Sequence, residues 1–459
     1  MKRIVLLAVA LLAIIIPRLL YHQYTSLYYY YPDTFQYLNR ALEMKEGKSA
    51  ISPFRLPLYP YLLIQGITSS LPIPVNATTI NAINFQPILL LQKTMGLVGS
   101  LAFLFISICL WGITGTMLVA ALLYGINILI IGYEINILTE SLSTVLLLIT
   151  MLFTLLYLDH LKLKFLVASL CTALLLFLLR PVYFLYPLTI LPINALFLVS
   201  KNHKKRLLLS SLLMCVFFIL PFYWAYKNKT LYDYFGITTV SGHNLFAKVI
   251  QYDLDTTGIG NASEHEKILK DCISSHRDDV SIVIDDCVSR LELTSNLYDT
   301  VSSPILGSFA QKVILKQPHR YIIKSLGLFP QALTKYYPIP YEWISPWSSQ
   351  PKLYTFWQFA NKFFRLFEKF MLAYFVFYPY CLKTFIRERN KKNAFLAIMG
   401  TSIFYILFFN TFFVQSEYDR LRAPIEPLLF LFCFYYYSRI FHGIISILQR
   451  KNRHLSIPS

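Results

Sequence analysis

The chain has 459 residues, of which 56% are hydrophobic, 16% aromatic and only 14% charged. A soluble chain of this length needs more polar surface to cover its core, so the composition excludes an ordinary soluble protein and points to an integral membrane one. The net charge of +18 then reads as basic cytoplasmic loops rather than a nucleic-acid footprint, and seven cysteines without a CxxC pair argue against a zinc site.

The first residues, "MKRIVLLAVALLAIIIPRLL", share the basic start and apolar core of a signal peptide. No small-x-small cleavage site follows. A belt of Tyr21, Tyr24 and Tyr28 to Tyr31 follows instead, which suits an uncleaved helix that starts in the cytoplasm and crosses an interface. Apolar runs lie at 4–20, 86–110, 113–132, 137–158, 163–179, 181–199, 206–226, 366–386, 393–414 and 423–447. Each approaches the ~17–25 residues that a bilayer requires. About ten spans put both termini on one side. The connections "MKR", "DHLKLK" (159–164), "KNHKKR" (201–206), "KTFIRERNKK" (383–392) and "QRKNRH" (449–454) hold sixteen Lys/Arg against two acids. That is the positive-inside pattern, and it places the other connections outside: Asp33, "GYEIN" (132–136), the Arg180-Pro181 turn, 227–365 and "VQSEYDRLR" (414–422). The spans beside Arg180 are short and tilt or re-enter. Arg439 in the last run makes its inner end an interfacial helix.

The expected architecture is an all-α polytopic membrane protein. It has a transmembrane module at 1–226 with a large first outer loop (21–85), an extracytoplasmic domain at 227–365, and C-terminal helices at 366–459. Within the first loop, Phe35, Tyr37, Leu38 and Leu42 have helical spacing and predict an amphipathic helix lying on the membrane. A second short helix is expected at 58–67 after Pro57. The 227–365 segment carries more than half of the 24 acids and reads as a small domain, mixed or mostly helical, in which Cys272 and Cys287 either pair or stay free. No internal repeat is visible, which disfavours a symmetric transporter.

Charges are expensive in such a chain, and the outer face collects them. Asp33 lies at the outer end of the first span, and Glu140 one turn inside the fourth. Arg55, Arg180, Arg420 and Arg422 are expected on the same side. The planar guanidinium fork matches phosphate oxygens, and an acid held among arginines stays ionised and available as a base. Plainer roles stand beside these. Arg18 and Arg55 snorkel at the interface, Arg180 caps a helix end, Glu140 is a structural partner of Arg180, or Asp33 caps a helix beginning at Thr34.

The stretches "PDTFQYLNRALEMKEG" and "FRLPLYPYLL" resemble the first outer loop of the GT-C class of membrane glycosyltransferases, which includes protein O-mannosyltransferases and lipid A aminoarabinose transferases. The matching positions are Asp33, Tyr37, Arg55, Pro57, Tyr59 and Pro60. The likeness continues at "ILTESL" (Glu140), "LLRP" (Arg180), "YWAYKN" (Asn228) and "EYDRLRAPIEPLL" (Glu417, Arg420, Arg422), where Leu421 replaces the usual Tyr. The resemblance implies transfer of a sugar from a polyprenyl-phosphate carrier to an extracytoplasmic acceptor, with inversion at the anomeric carbon. Asp33 becomes general base or hydrogen-bond acceptor. Arg55, Arg180, Arg420 and Arg422 bind the carrier phosphate, and Glu140 positions the sugar or holds an arginine. Tyr37, Tyr59, Asn228 and Glu417 contribute to substrate binding. The acceptor is a glycan, lipid or protein. No cofactor and no metal are expected, and the setting is a bacterial plasma membrane. A flippase for lipid-linked sugars and a polymerase or ligase using a polyprenyl diphosphate are the alternatives.

Overall fold

The computed structural model describes residues 1–24, 29–67, 75, 80, 83–257, 263–275, 280–291, 300–334, 350–414 and 418–455. Among these residues the secondary structure is helical, with one isolated parallel bridge between Tyr29 and Asn136. The long helices are α1 (Lys2–Tyr24), α4 (Gln86–Trp111), α7 (Glu140–His160), α8 (Leu163–Leu179), α9 (Pro187–Ser200), α10 (Lys204–Tyr232), α18 (Lys391–Phe413) and α20 (Glu426–Leu455). Between them lie α2 (Pro32–Lys45), α3 (Leu58–Ile64), α5 (Gly115–Gly125), α6 (Ile128–Gly132), α11 (Val240–Gln251), α12 (Glu264–Ser275), α13 (Val280–Arg290), α14 (Ser302–Lys316), α15 (Pro318–Thr334), α16 (Pro351–Phe367), α17 (Tyr374–Glu388) and α19 (Tyr418–Arg422).

Among the described residues, seven helical stretches qualify as membrane spans by length and apolarity, and an eighth if the pair 115–125 and 128–135, bent by 43°, forms one crossing. Of the ten runs expected, 163–179 is a 17-residue apolar helix. The run at 366–386 divides into a 3-10 segment, Glu368–Ala373, and α17.

One end of the bundle gathers the basic connections. Lys391 pairs with Asp159 there, and Lys392 donates to the last-turn carbonyl of Leu110 at 2.7 Å. Trp111 Nε1 donates to Ser438 Oγ at 3.0 Å. Leu161, Asn202 and Arg389 turn the chain in left-handed conformation, with φ of 53°, 56° and 44°. That conformation allows the tight link between α7 and α8. The acids and arginines singled out above sit at the other end.

The amphipathic helix expected on the membrane surface is α2, and its apolar face is not left for lipid. Tyr37, Leu38, Ala41 and Leu42 are buried in the main core together with Tyr59 and Leu63 of α3. Arg40 is buried as well, its guanidinium held by Glu43 at 2.7 Å and Ile51 O at 3.2 Å. A surface-lying helix would keep that cation in water, so α2 is a packed element of the protein. The short helix expected at 58–67 is α3, with Pro57 as its N-cap residue.

The regular elements among the described residues of the 227–365 segment are helices, with α11 packed on α14. Cys272 and Cys287 form a disulfide that joins α12 to α13. The segment is seated on the end of α18 by hydrogen bonds. Tyr252 Oη donates to Thr411 O at 3.1 Å, and Tyr321 Oη donates to Phe412 O.

Candidate active site

The site is assembled by three local devices. The first fixes α2. Tyr29 N donates to Ile135 O at 3.2 Å and Ile137 N donates to Tyr29 O at 2.9 Å. Thr34 Oγ1 donates to Ile137 O at 2.9 Å and accepts from Tyr31 N at 2.9 Å. This clamp lays the start of α2 against the segment that enters α7, which brings Asp33 beside Glu140. The helix begins at Pro32, where the missing N–H costs nothing. Asp33 therefore lies inside the first turn and is not the N-cap, which corrects the capping alternative.

The second device fixes Arg55. Trp224 Nε1 donates to Ser52 O at 3.2 Å, Tyr232 Oη to Ile51 O at 3.0 Å and Thr239 N to Pro53 O at 2.6 Å. The guanidinium of Arg55 lies over the Tyr37 ring at 4.7 Å and the Phe54 ring at 5.1 Å. The third device concerns the two remaining arginines. Pro181 disfavours helix at the residue before it. Arg180 accordingly leaves α8 in extended conformation, its N–H still donating to Leu176 O at 2.8 Å. Asn410 Nδ2 of α18 donates to Leu421 O at 3.2 Å and so holds α19, which carries Arg420.

These elements close one charge network. Arg55 Nη2 donates to Asp33 Oδ1 at 2.8 Å, and Arg420 Nη2 donates to Asp33 Oδ2. Arg420 Nε donates to Glu140 Oε1 at 2.6 Å, and Arg180 Nη1 lies 3.8 Å from the same oxygen. Three arginines against two carboxylates leave one positive charge. Burial pushes the Asp33 pKa up, but Arg55 and Arg420, with the Arg420 hydrogen bond and the more distant Arg180, outweigh it. The carboxyl is held well below the usual range and is ionised at neutral pH.

The network forms one end of a cavity of about 1420 Å³ lined by Asp33, Tyr37, Arg55, Arg180 and Arg420. A second wall is apolar: Leu185 and Leu188 from the segment around α9, and Phe404, Tyr405, Phe408, Phe409 and Phe413 from α18. Leu188 and Phe404 on this wall are 46% and 39% exposed. A third wall, from the 227–365 segment and α18, offers neutral hydrogen-bonding groups: Thr238, Ser241, Asn244, Gln251, Gln311 and Asn410.

The structure redistributes several of the residues named from sequence. Glu140 is fully buried behind the arginines and does not line the cavity; it holds Arg420 and Arg180. Tyr59 is also behind the wall, its hydroxyl donating to Gln92 Oε1 at 3.1 Å. Asn228 is buried, and its amide donates to Gly236 O at 2.7 Å and Ile237 O at 3.3 Å, which shapes the turn at the cavity rim. Arg422 is away from the network. It pairs with Glu368, lies 2.9 Å from Glu426 Oε2 and donates to Leu333 O at 2.5 Å. Glu417 lies outside the described residues. Arg18 does not snorkel: it is 1% exposed and bonds Glu134 Oε1 at 3.1 Å, while His22 meets Glu134 Oε2 at 2.7 Å. Among the described residues no group of three or more His, Cys, Asp or Glu is placed to hold a metal ion.

The sequence reading missed the aromatic wall. The i, i+4 pairs Phe404/Phe408 and Tyr405/Phe409 were its available signal, but core helices show the same spacing. The neutral wall was missed as well: Ser241, Asn244 and Gln251 share α11, but Gln311 and Asn410 join them from elements distant in sequence.

No protein-family model matches the chain, and no curated protein matches it. Among solved structures it is similar to the archaeal oligosaccharyltransferase AglB from Archaeoglobus fulgidus, in complex with an inhibitory peptide and a dolichol-phosphate. That match has 11% identity and a TM-score of 0.48, and covers 98% of this chain and 52% of the other. It is also similar to ArnT from Cupriavidus metallidurans bound to undecaprenyl phosphate, with 13% identity and a TM-score of 0.33, over 92% of this chain and 84% of the other. The chain thus spans about half the length of the archaeal protein. The all-helical architecture and the arginine–carboxylate site described above stand on this chain's own residues.

Proposed function

We propose that the protein is a membrane glycosyltransferase of the GT-C kind that moves a sugar from a polyprenyl monophosphate to an extracytoplasmic acceptor. One observation carries the reading: a single cavity joins an arginine–carboxylate network to an apolar, aromatic wall. A lipid-linked phosphosugar has the three parts that such a cavity fits. Its isoprenoid chain lies on Leu188, Phe404, Phe408 and Phe409, its phosphate meets Arg55, Arg180 and Arg420, and its sugar faces the neutral wall. The network's surplus of one positive charge matches one phosphodiester. A diphosphate carrier, with about two negative charges, would leave a buried charge uncompensated, which disfavours the ligase and polymerase alternative.

In the reaction the acceptor hydroxyl oxygen attacks the anomeric carbon as the bond from that carbon to the phosphate oxygen breaks, inverting the configuration. The departing phosphate keeps the electron pair, and the guanidinium groups stabilise its charge. The acceptor proton goes to Asp33. In the resting network this carboxylate is a weak base. It gains basicity when the incoming phosphate takes over Arg55 and Arg420, because its two countercharges are then shared. Glu140 keeps Arg420 and Arg180 in place during that exchange.

The test is native mass spectrometry of the purified full chain with polyprenyl monophosphate, polyprenyl diphosphate and a glycosylated monophosphate. Selective retention of the glycosylated monophosphate, lost in Arg420→Ala, is the expected result. Stronger retention of the diphosphate would move the assignment to glycan transfer, and no retention of any polyprenyl lipid would remove the reading.

A further inference from the structure

The opposite end of the bundle holds a second cavity, of about 920 Å³, which the proposed chemistry does not use. It lies where α4 ends, α5 begins, α18 begins and α20 passes. Its cations are Lys391, Lys392 and Arg439, and its acid is Glu388. Lys391 pairs with Asp159, while Lys392 and Arg439 come from two separate elements and converge on one ring. Lys392 Nζ lies 4.8 Å and the Arg439 guanidinium 6.0 Å from the centre of Tyr435. Trp111 packs beside that ring at 6.2 Å and is tied to Ser438. Glu388 is engaged locally, its Oε2 accepting from Asn393 Nδ2 at 2.8 Å and Asn390 Nδ2 at 3.1 Å. The starts of α5 and α18 both face the cavity and add backbone N–H dipoles of the sign that favours an anion. On the membrane side of the cavity, α4 and α5 continue into exposed apolar side chains, Phe105 and Leu122.

From this placement we infer that the cavity binds the phosphate headgroup of an anionic phospholipid. The lipid's acyl chains lie along the apolar faces of α4 and α5. A cationic pocket with tryptophan and tyrosine, set at the end of apolar helices, is what a headgroup at the membrane interface requires. A soluble anion would use the cations but not the adjoining apolar surface. The site is independent of the sugar-transfer reading, because it shares no residue with that cavity.

The experiment uses the full chain in detergent, with phosphatidylglycerol and phosphatidylcholine as probes and retained lipid counted by native mass spectrometry. Wild type retains phosphatidylglycerol at least tenfold better than phosphatidylcholine. Lys392→Gln with Arg439→Gln lowers that preference on the order of twentyfold, about fivefold for each charge removed near the interface. Gly115→Leu provides a second variant that leaves every charge in place. Gly115 lines the cavity and an added Cβ there meets nothing within 4 Å, so a longer side chain has room to reach into it. It too abolishes the preference, and it decides the question alone should the double variant fail to fold. Equal retention of the two lipids by wild type overturns the inference, as does an undiminished preference in Gly115→Leu. Displacement of phosphatidylglycerol by millimolar inorganic phosphate would reassign the cavity to a soluble anion and overturn the lipid assignment.

Discussion

Replacing Asp33 by Asn tests the exchange at the centre of the mechanism. The change keeps the size of the side chain and removes one negative charge. In the wild type, Arg55 and Arg420 each donate to one Asp33 oxygen. Hydrogen bonds to charged groups are worth about 1.5–3 kcal/mol each, so an incoming phosphate must displace a competitor that holds both cations. In the Asp33→Asn variant the network carries two surplus positive charges instead of one, and the competitor is neutral. Recovering even about 1.4 kcal/mol of that competition tightens donor binding on the order of tenfold. Turnover moves the other way. Without an acceptor for the hydroxyl proton, kcat falls by on the order of 10²-fold or more. The assay is single-turnover transfer at saturating donor, run beside a donor-binding titration on the same preparation. A kcat within about threefold of wild type would refute the assignment of the proton to Asp33 and move the search for a base elsewhere. Weaker donor binding would show instead that Asp33 merely holds the arginines in place.

Arg420→Ala and Arg180→Ala weaken carrier binding by roughly 2–5 kcal/mol, and lysine at either position restores it in part because it lacks the planar fork; unchanged affinity in both alanine variants would remove the phosphate assignment. Arg422→Ala acts differently, lowering stability by about 3–5 kcal/mol because Glu368 and Glu426 are left buried without their cation, and melting of the purified variant measures it. Asp33 has a depressed pKa when folded, so its ionisation adds stability at pH above its unfolded value of about 4, and that contribution is lost as pH falls further. Melting of wild type and Asp33→Asn should therefore differ most at neutral pH and draw together as the pH falls below that value, and a constant difference would contradict the shift. Cysteines placed at Ser263 and Lys204, after removal of reactive native thiols, should label in intact cells at the first position only; the reverse pattern would invert the topology.

How much of this was legible in the sequence follows from the cost of burying charge. In an apolar chain each acid or arginine must find a partner, so Asp33, Glu140, Arg55, Arg180 and Arg420 could be grouped before any geometry was known. The same rule, applied without a partner in hand, misplaced Arg18. Its acid, Glu134, stands in a stretch that reads as an outer connection, and nothing local links positions 116 residues apart. Arg422 was separable in principle. Two residues along a helix turn side chains to nearly opposite faces, and on α19 this sends Arg420 to Asp33 and Arg422 to Glu368. The packing of α2 against the protein was illegible for a related reason. Helical spacing of Tyr37, Leu38 and Leu42 shows that a face is apolar but not what covers it, and the cover is α3. The cavity's aromatic wall was illegible because Phe412, which serves the core, and Phe408, which lines the cavity, sit one turn apart on α18, with ring centroids 4.4 Å apart.

Within the proposed reaction, the network has a further consequence for the order of events. A site built only of arginines would bind phosphate strongly but would be costly to assemble empty, since three like charges at the rim of an apolar cavity repel one another and lose hydration. Asp33 and Glu140 remove most of that cost, and they do so unequally. Glu140 is fully buried and bonds Arg420 from behind, so it stays when the phosphate arrives. Asp33 lines the cavity and is 25% exposed, so it is the carboxylate that the phosphate displaces from the shared cations. Donor binding and base activation then become one step: the carboxylate recovers basicity only where a phosphate has replaced it. Before the donor binds, the same carboxylate is held by two guanidinium groups and is a poor base for an acceptor hydroxyl. The division of labour between a buried acid that holds and a lining acid that exchanges gives this ordering without a moving lid.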